Sequence, residues 1–116
     1  MNKTMQAIAD ATAAARRDGK SRIVPGRGAY TVLAHNDSPL VQVLYRGTAV
    51  AVFNSHSVTL QARGWHTATT KNVMNAALQH TPYVVYQQDW CWYVRRLPFD
   101  DGGERLSYED GMTLPL

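Results

Sequence analysis

Apolar and small residues recur at spacings of three and four along the first seventeen positions. Met1, Met5, Ile8, Thr12 and Ala15 form one thin stripe in an alanine-rich stretch. That period marks one face of a helix, and alanine has the highest helix propensity, so residues 2–17 are predicted to be helical. Arg16 and Arg17 fall in the last turn, where cations suit the helix dipole, and Gly19 is the expected stop. The narrow stripe predicts a helix that packs loosely or docks on a partner. Residues 18–29 carry Gly19, Pro25, Gly26 and Gly28 among basic residues and read as a loop.

The period then changes to two. A strand is expected over 30–34, closed by the turn formers His35, Asn36, Asp37, Ser38 and Pro39. Over 41–46, Val41, Val43 and Tyr45 alternate with Gln42, Leu44 and Arg46. Residues 48–54 form the most apolar run and read as a central strand. Val58, Leu60 and Ala62 alternate with Thr59, Gln61 and Arg63. These segments predict an antiparallel meander of about four strands, ended by Gly64 and Trp65. Thr67, Thr69 and Thr70 offer hydroxyls for an N-cap, and a helix is expected over about 70–79. Val73, Met74, Ala77 and Leu78 would form its buried face, with Lys71, Asn72, Asn75 and Gln79 toward water. His80, Thr81 and Pro82 stop it. A hairpin pairs 83–87 with 91–96 across a turn near Gln88 and Asp89. The tail adds a turn at 100–103 and a short strand over 105–108. The result is an α+β fold in one domain, 1–116, with a basic helix and loop over 1–28 and an α+β core over 29–116.

Composition narrows the class. The chain has 116 residues, 45% hydrophobic and 18% charged, which excludes the composition of a disordered segment and supports one core. No apolar run approaches the ~20 residues needed to span a bilayer, so no membrane role is expected. Residues 1–17 lack the continuous apolar stretch of a secretory signal, and a single cysteine, Cys91, makes no internal disulfide. Both features predict a cytoplasmic protein. The net charge of +3 is unevenly spread. Residues 1–28 hold six cations against two acids, and residues 97–116 hold one cation against five acids. The basic end could meet nucleic acid, or the two ends could attract one another.

Catalytic signatures are sparse. No nucleophile elbow occurs, and Cys91, between Trp90 and Trp92, reads as a small residue filling one face of a strand. His35, His56, His66 and His80 are too scattered for a metal site. Pro25-Gly26-Arg27-Gly28 follows a helix and precedes a strand, the wrong context for a phosphate loop. The acids Asp100, Asp101, Glu104, Glu109 and Asp110 read as solvated turn residues. No enzyme activity, cofactor or metal is therefore expected. A hydrolase would need a pocket joining a carboxylate to a histidine of shifted pKa.

The aromatics are the strongest candidates for binding. Tyr83, Tyr86, Trp90, Trp92 and Tyr93 fall in one hairpin beside Arg95 and Arg96. Rings and cations on a sheet can hold single-stranded nucleic acid, although aromatic residues are favoured in strands for packing alone. Alternation places Trp90 and Trp92 on one face and Tyr93 on the other. Arg63 and Lys71, near Trp65, would extend a basic surface. Arg16, Arg17, Lys20, Arg22 and Arg27 supply the cations of the N-terminal segment, and the first helix and the stretch 22–28 are the candidate contact elements.

The stretch 58–75, with Gly64-Trp65-His66-Thr67-Ala68-Thr69-Thr70-Lys71 at its centre, resembles a pattern in small accessory proteins of bacterial viruses: TLNSGGWRTATTKxRMN, then YRVYQ and WYV, then PFxDGM. Tyr83 to Gln87, Trp92-Tyr93-Val94, Pro98-Phe99-Asp100 and Asp110-Gly111-Met112 echo the later parts, so the resemblance covers about 41–112. This chain has Gln61-Ala62-Arg63 where the pattern has Asn-Ser-Gly, and His66 in place of Arg. The PFxDGM element is split by an insertion around 102–108. The resemblance implies a phage accessory protein that binds a host or defence protein in the bacterial cytoplasm, as anti-CRISPR inhibitors do. The alternative expectation is a small nucleic-acid binder.

Overall fold

The computed structural model describes residues 2–25, 30–35, 38–97 and 105–116. Among them the chain runs α1 (Lys3–Asp18), β1 (Arg22–Val24), β2 (Tyr30–Ala34), β3 (Val41–Tyr45), β4 (Thr48–Phe53), β5 (Ser57–Leu60), α2 (Ala68–Ala77), β6 (Tyr83–Gln88), β7 (Cys91–Arg96), β8 (Leu106–Ser107) and β9 (Met112–Pro115). This is the α+β class expected, with every strand pairing antiparallel. The meander is longer than foreseen. Strands β1 to β5 are sequential neighbours, and β9 closes the far edge beside β5 to make six. Strands β6, β7 and β8 form a second sheet. The hairpin expected from the pattern is therefore two strands of three.

Helix α1 begins where the Asn2 side chain accepts the Met5 N–H at 2.8 Å and ends where left-handed Gly19 donates its N–H to the Ala15 carbonyl. Met5, Ile8, Ala9, Thr12 and Ala15 are buried, and the Thr12 hydroxyl is satisfied by the Ile8 carbonyl at 2.8 Å. The helix packs on α2 and on β1, β2 and β3. The loose packing expected of the stripe is thus corrected: its residues are core, while Arg16 and Arg17 on the same helix stay exposed. Residues 22–24, expected in a loop, form β1, with Arg22 opposite Val32. Three residues are too few to show an alternating pattern. Arg27 and the rest of the expected loop, over 26–29, lie outside the described residues, as does the turn expected at 100–103.

The two helices cover one face of the large sheet. Val41, Phe53, Val58 and Leu114 stand in register across four strands, and Val43, Ala51 and Leu60 form the next row. All seven are buried. Between β3 and β4 the register slips at Val43 and Leu44, leaving Val50 as an extra residue on β4. Such a bulge bends a strand locally, and the Val50 carbonyl is taken by the Gln61 N–H at 3.1 Å.

Helix α2 is capped by Thr67, whose hydroxyl oxygen accepts the Thr70 N–H at 3.2 Å. Its buried face contains the expected Val73, Met74 and Ala77, with Leu78 buried just beyond. Asn75, expected to face water, instead bonds the β6 backbone. Its amide nitrogen donates to the Val85 carbonyl at 2.8 Å and its oxygen accepts the Val85 N–H at 2.7 Å. The Tyr83 hydroxyl donates to the Pro115 carbonyl, tying the small sheet to the last strand of the large one.

Candidate functional site

The chain between β5 and α2 is a series of tight turns. The Trp65 N–H donates to the Ala62 carbonyl at 3.0 Å, His66 to Gly64 at 3.1 Å and Thr67 to Trp65 at 2.9 Å. Arg63 and Gly64 both take positive φ, 51° and 79°. Glycine adopts this conformation without steric cost, whereas Arg63 carries a Cβ into it. The turns are clamped by Asp110. Its Oδ1 accepts the Ala62 N–H at 3.0 Å and the Tyr108 hydroxyl at 2.7 Å, and its Oδ2 accepts the Gly64 N–H at 2.9 Å.

Beside the clamp, aromatic rings form a cluster. The His66 ring stacks on Trp92 at 4.8 Å between centroids, and Tyr108 meets Trp92 edge-on at 5.3 Å and His66 at 5.6 Å. His66 Nε2 lies 3.7 Å from Asp110 Oδ1. Burial, and then the hydrogen bond to Asp110, push the Tyr108 phenol well above its ordinary pKa. Burial also acts to raise the Asp110 carboxyl. The hydrogen bonds from Tyr108, Gly64 and Ala62, with His66 nearby, outweigh it and hold the carboxyl below its ordinary value. A carboxylate whose oxygens accept from two backbone N–H groups and a phenol fixes the loop.

Two clefts share this loop as a wall. One, of about 420 Å³, lies between the β3–β4 turn and Trp65, with Val50, Ala62, Thr67 and Thr70 along it. The other, about 610 Å³ and more open, runs from His66 past Trp92 and Cys91 to Trp90. Cys91 is exposed at the end of β7, so it does not fill a packed sheet face as expected.

The sequence candidates divide. Trp65 is 71% exposed and Trp90 is 92% exposed, whereas Trp92 is only 7% exposed. The expectation that Trp90 and Trp92 share a strand face is corrected: β6 extends to Gln88, and Asp89 and Trp90 are the two-residue turn, with φ of 52° and 68°. Arg63 is exposed at the corner, Lys71 is half-buried on α2, and Arg95 and Arg96 lie opposite Val84 and Tyr83 in the hairpin. The N-terminal cations lie elsewhere. The Arg16 guanidinium sits 4.5 Å from the Phe53 ring centroid, and burial lowers its pKa. Arg22 bonds Asp18 through Nη1 at 2.9 Å, and this hydrogen bond is the main cause that holds the Asp18 carboxyl well below its ordinary value. Arg17 and Lys20 are exposed. Arg22 thus pairs within its own segment, while Asp110 of the acidic tail faces His66.

The arrangement joins the Trp65 turn, the Trp92 strand and the Asp110-Gly111 turn in one clamp. A family model described as Kyanoviridae Gp96 protein matches residues 5–115. The chain belongs to this family of phage proteins. No curated protein and no solved structure matches it. Family membership covers α1 as well as the clamp, so the helix and both sheets belong to the shared unit. Sequence reasoning missed His66, Tyr108 and Asp110. The adjacent Asp110-Gly111 pair was the available signal, since Asp before Gly marks a turn with a free carboxylate. No helix among the described residues is long and apolar enough to cross a membrane.

Proposed function

We propose that this phage protein acts by binding, without catalysis, to a host or defence protein in the bacterial cytoplasm, with Trp90 and Trp65 as its anchors. The observation that carries this reading is the conformation of Trp90. A two-residue hairpin with both φ positive favours Asn-Gly or Asp-Gly. Here aspartate holds the first position, and the second, where glycine fits, holds the largest side chain available, turned to solvent. A left-handed residue with a Cβ costs roughly 1–2 kcal/mol. Strain of this kind points to function when nothing in the fold gains from it. Exposed tryptophans are the residues most enriched among interface hot spots.

Replacing Trp90 with Gly is expected to stabilise the protein by about 1 kcal/mol, raising the thermal midpoint by about 4 °C. Host lysate passed over immobilised wild type should yield a stoichiometric partner that the Trp90→Gly protein retains at least tenfold less. Recovery of no partner, or equal recovery by both proteins, would sink the reading.

The nucleic-acid alternative draws less support from the geometry. Of the paired indoles meant to stack bases, Trp92 is packed under His66, and Arg16 and Arg22 are engaged with Phe53 and Asp18.

A further inference from the structure

The smaller cleft has a different character from the tryptophan surface. Its lining holds an exposed indole, Trp65, and a phenol, Tyr45. Val50, the extra residue of the bulge, and Ala62 are both buried and contribute its apolar lining. Among the described residues, Arg46 is the charged residue that lines it, with its guanidinium 5.7 Å from the Tyr45 ring centroid, and no described carboxylate does. Thr48 and the paired hydroxyls of Thr67 and Thr70, 2.9 Å apart, supply neutral polar groups. At about 420 Å³ the space falls within the range of small-molecule sites, which are mostly apolar with a few convergent polar groups.

Arg46 also sits where its backbone is strained. It is the first residue of the β3–β4 turn, at φ 50°, followed by Gly47 at φ 79°. This type of turn prefers asparagine or aspartate there, and either would make the hairpin more stable. An arginine at this position brings a cation to a cleft that has no other among its described lining residues. Guanidinium groups match phosphate oxygens through paired N–H donors.

From these features we propose that the cleft between the Arg46 turn and Trp65 binds a mononucleotide-sized planar anion: an aromatic base against the indole, joined to one phosphate held by Arg46. The site shares Trp65 with the partner-binding reading but does not use Trp90, and its test contains no partner protein, so the two readings can fail separately.

The test is a titration of isotopically labelled full-length protein with each of the four nucleoside 5′-monophosphates, followed by NMR. Saturable shifts are expected at the Trp65 indole N–H and at the amides of Gly47 and Thr67 for at least one nucleotide, with Kd at or below about 1 mM. The nucleoside alone and inorganic phosphate alone should each bind at least tenfold more weakly. Arg46→Asn should raise the thermal midpoint or leave it unchanged, because asparagine suits the turn, and should raise the Kd at least tenfold. The proposal is overturned if none of the four nucleotides shifts these resonances. It is equally overturned if inorganic phosphate alone reproduces the shifts, or if a well-folded Arg46→Asn protein binds as tightly as wild type.

Discussion

Asp110→Ala is expected to lower the unfolding free energy by about 2–4 kcal/mol, measured by urea denaturation at neutral pH. The carboxylate accepts three hydrogen bonds, and two of its donors are buried: the Ala62 N–H and the Tyr108 hydroxyl. Without the carboxylate both lose their partner, while Gly64 is exposed enough to turn to water. A loss below about 0.5 kcal/mol would show that the clamp does not hold the turn. The charge has its own signature. Because the folded pKa of Asp110 lies below its ordinary value of 3.8, the stabilisation is present above that value and is lost as pH falls through the lower folded one. The stability difference between wild type and Asp110→Asn should therefore shrink as the pH is lowered through and below 3.8. Asp18 also has a depressed carboxyl, but it is common to both proteins and cancels in the difference. A difference that stays constant with pH would assign the effect to shape alone.

Asn75→Leu is expected to cost a similar amount, about 2–4 kcal/mol, by leaving both the N–H and the carbonyl of Val85 unpaired at a buried position. Val85 lies on β6, the edge of the small sheet, with its backbone groups turned away from β7. The Asn75 side chain bonds them as a neighbouring strand would and so joins α2 to that sheet. Leucine matches asparagine closely in length and adds apolar surface, so a loss of stability would come from hydrogen bonding and not from a cavity. Unchanged stability in urea would mean that water replaces the amide.

These two residues show why the site was only half legible. Asn75 sits at a helical position, and the amphipathic pattern assigned it to solvent together with Lys71 and Asn72. Nothing local distinguishes an asparagine facing water from one facing a strand edge ten residues away. Asp110 looked like one of five turn acids, and its donors at 62 and 64 are nearly fifty residues distant. Trp90 and Trp92 were read as equivalent by alternation. A one-residue difference in where the hairpin turns made one of them the tip and the other the core.

Signals carried within a few residues were reliable guides. The spacing of Met5, Ile8, Thr12 and Ala15 marked the buried face of α1, Thr67 capped α2, the period of two located β3 and β5, and the apolar run located β4. Helix faces, caps and tight turns depend on neighbours in the chain, so their chemistry can be read from it directly. The tertiary fold alone decided that α1 is core, that three-residue β1 and distant β9 complete the large sheet, and that His66, Trp92, Tyr108 and Asp110 meet. Those outcomes depend on which surfaces remain to be covered once the local elements exist. Burial and the pairing of exposed backbone groups act between residues far apart in sequence, and no local pattern records them.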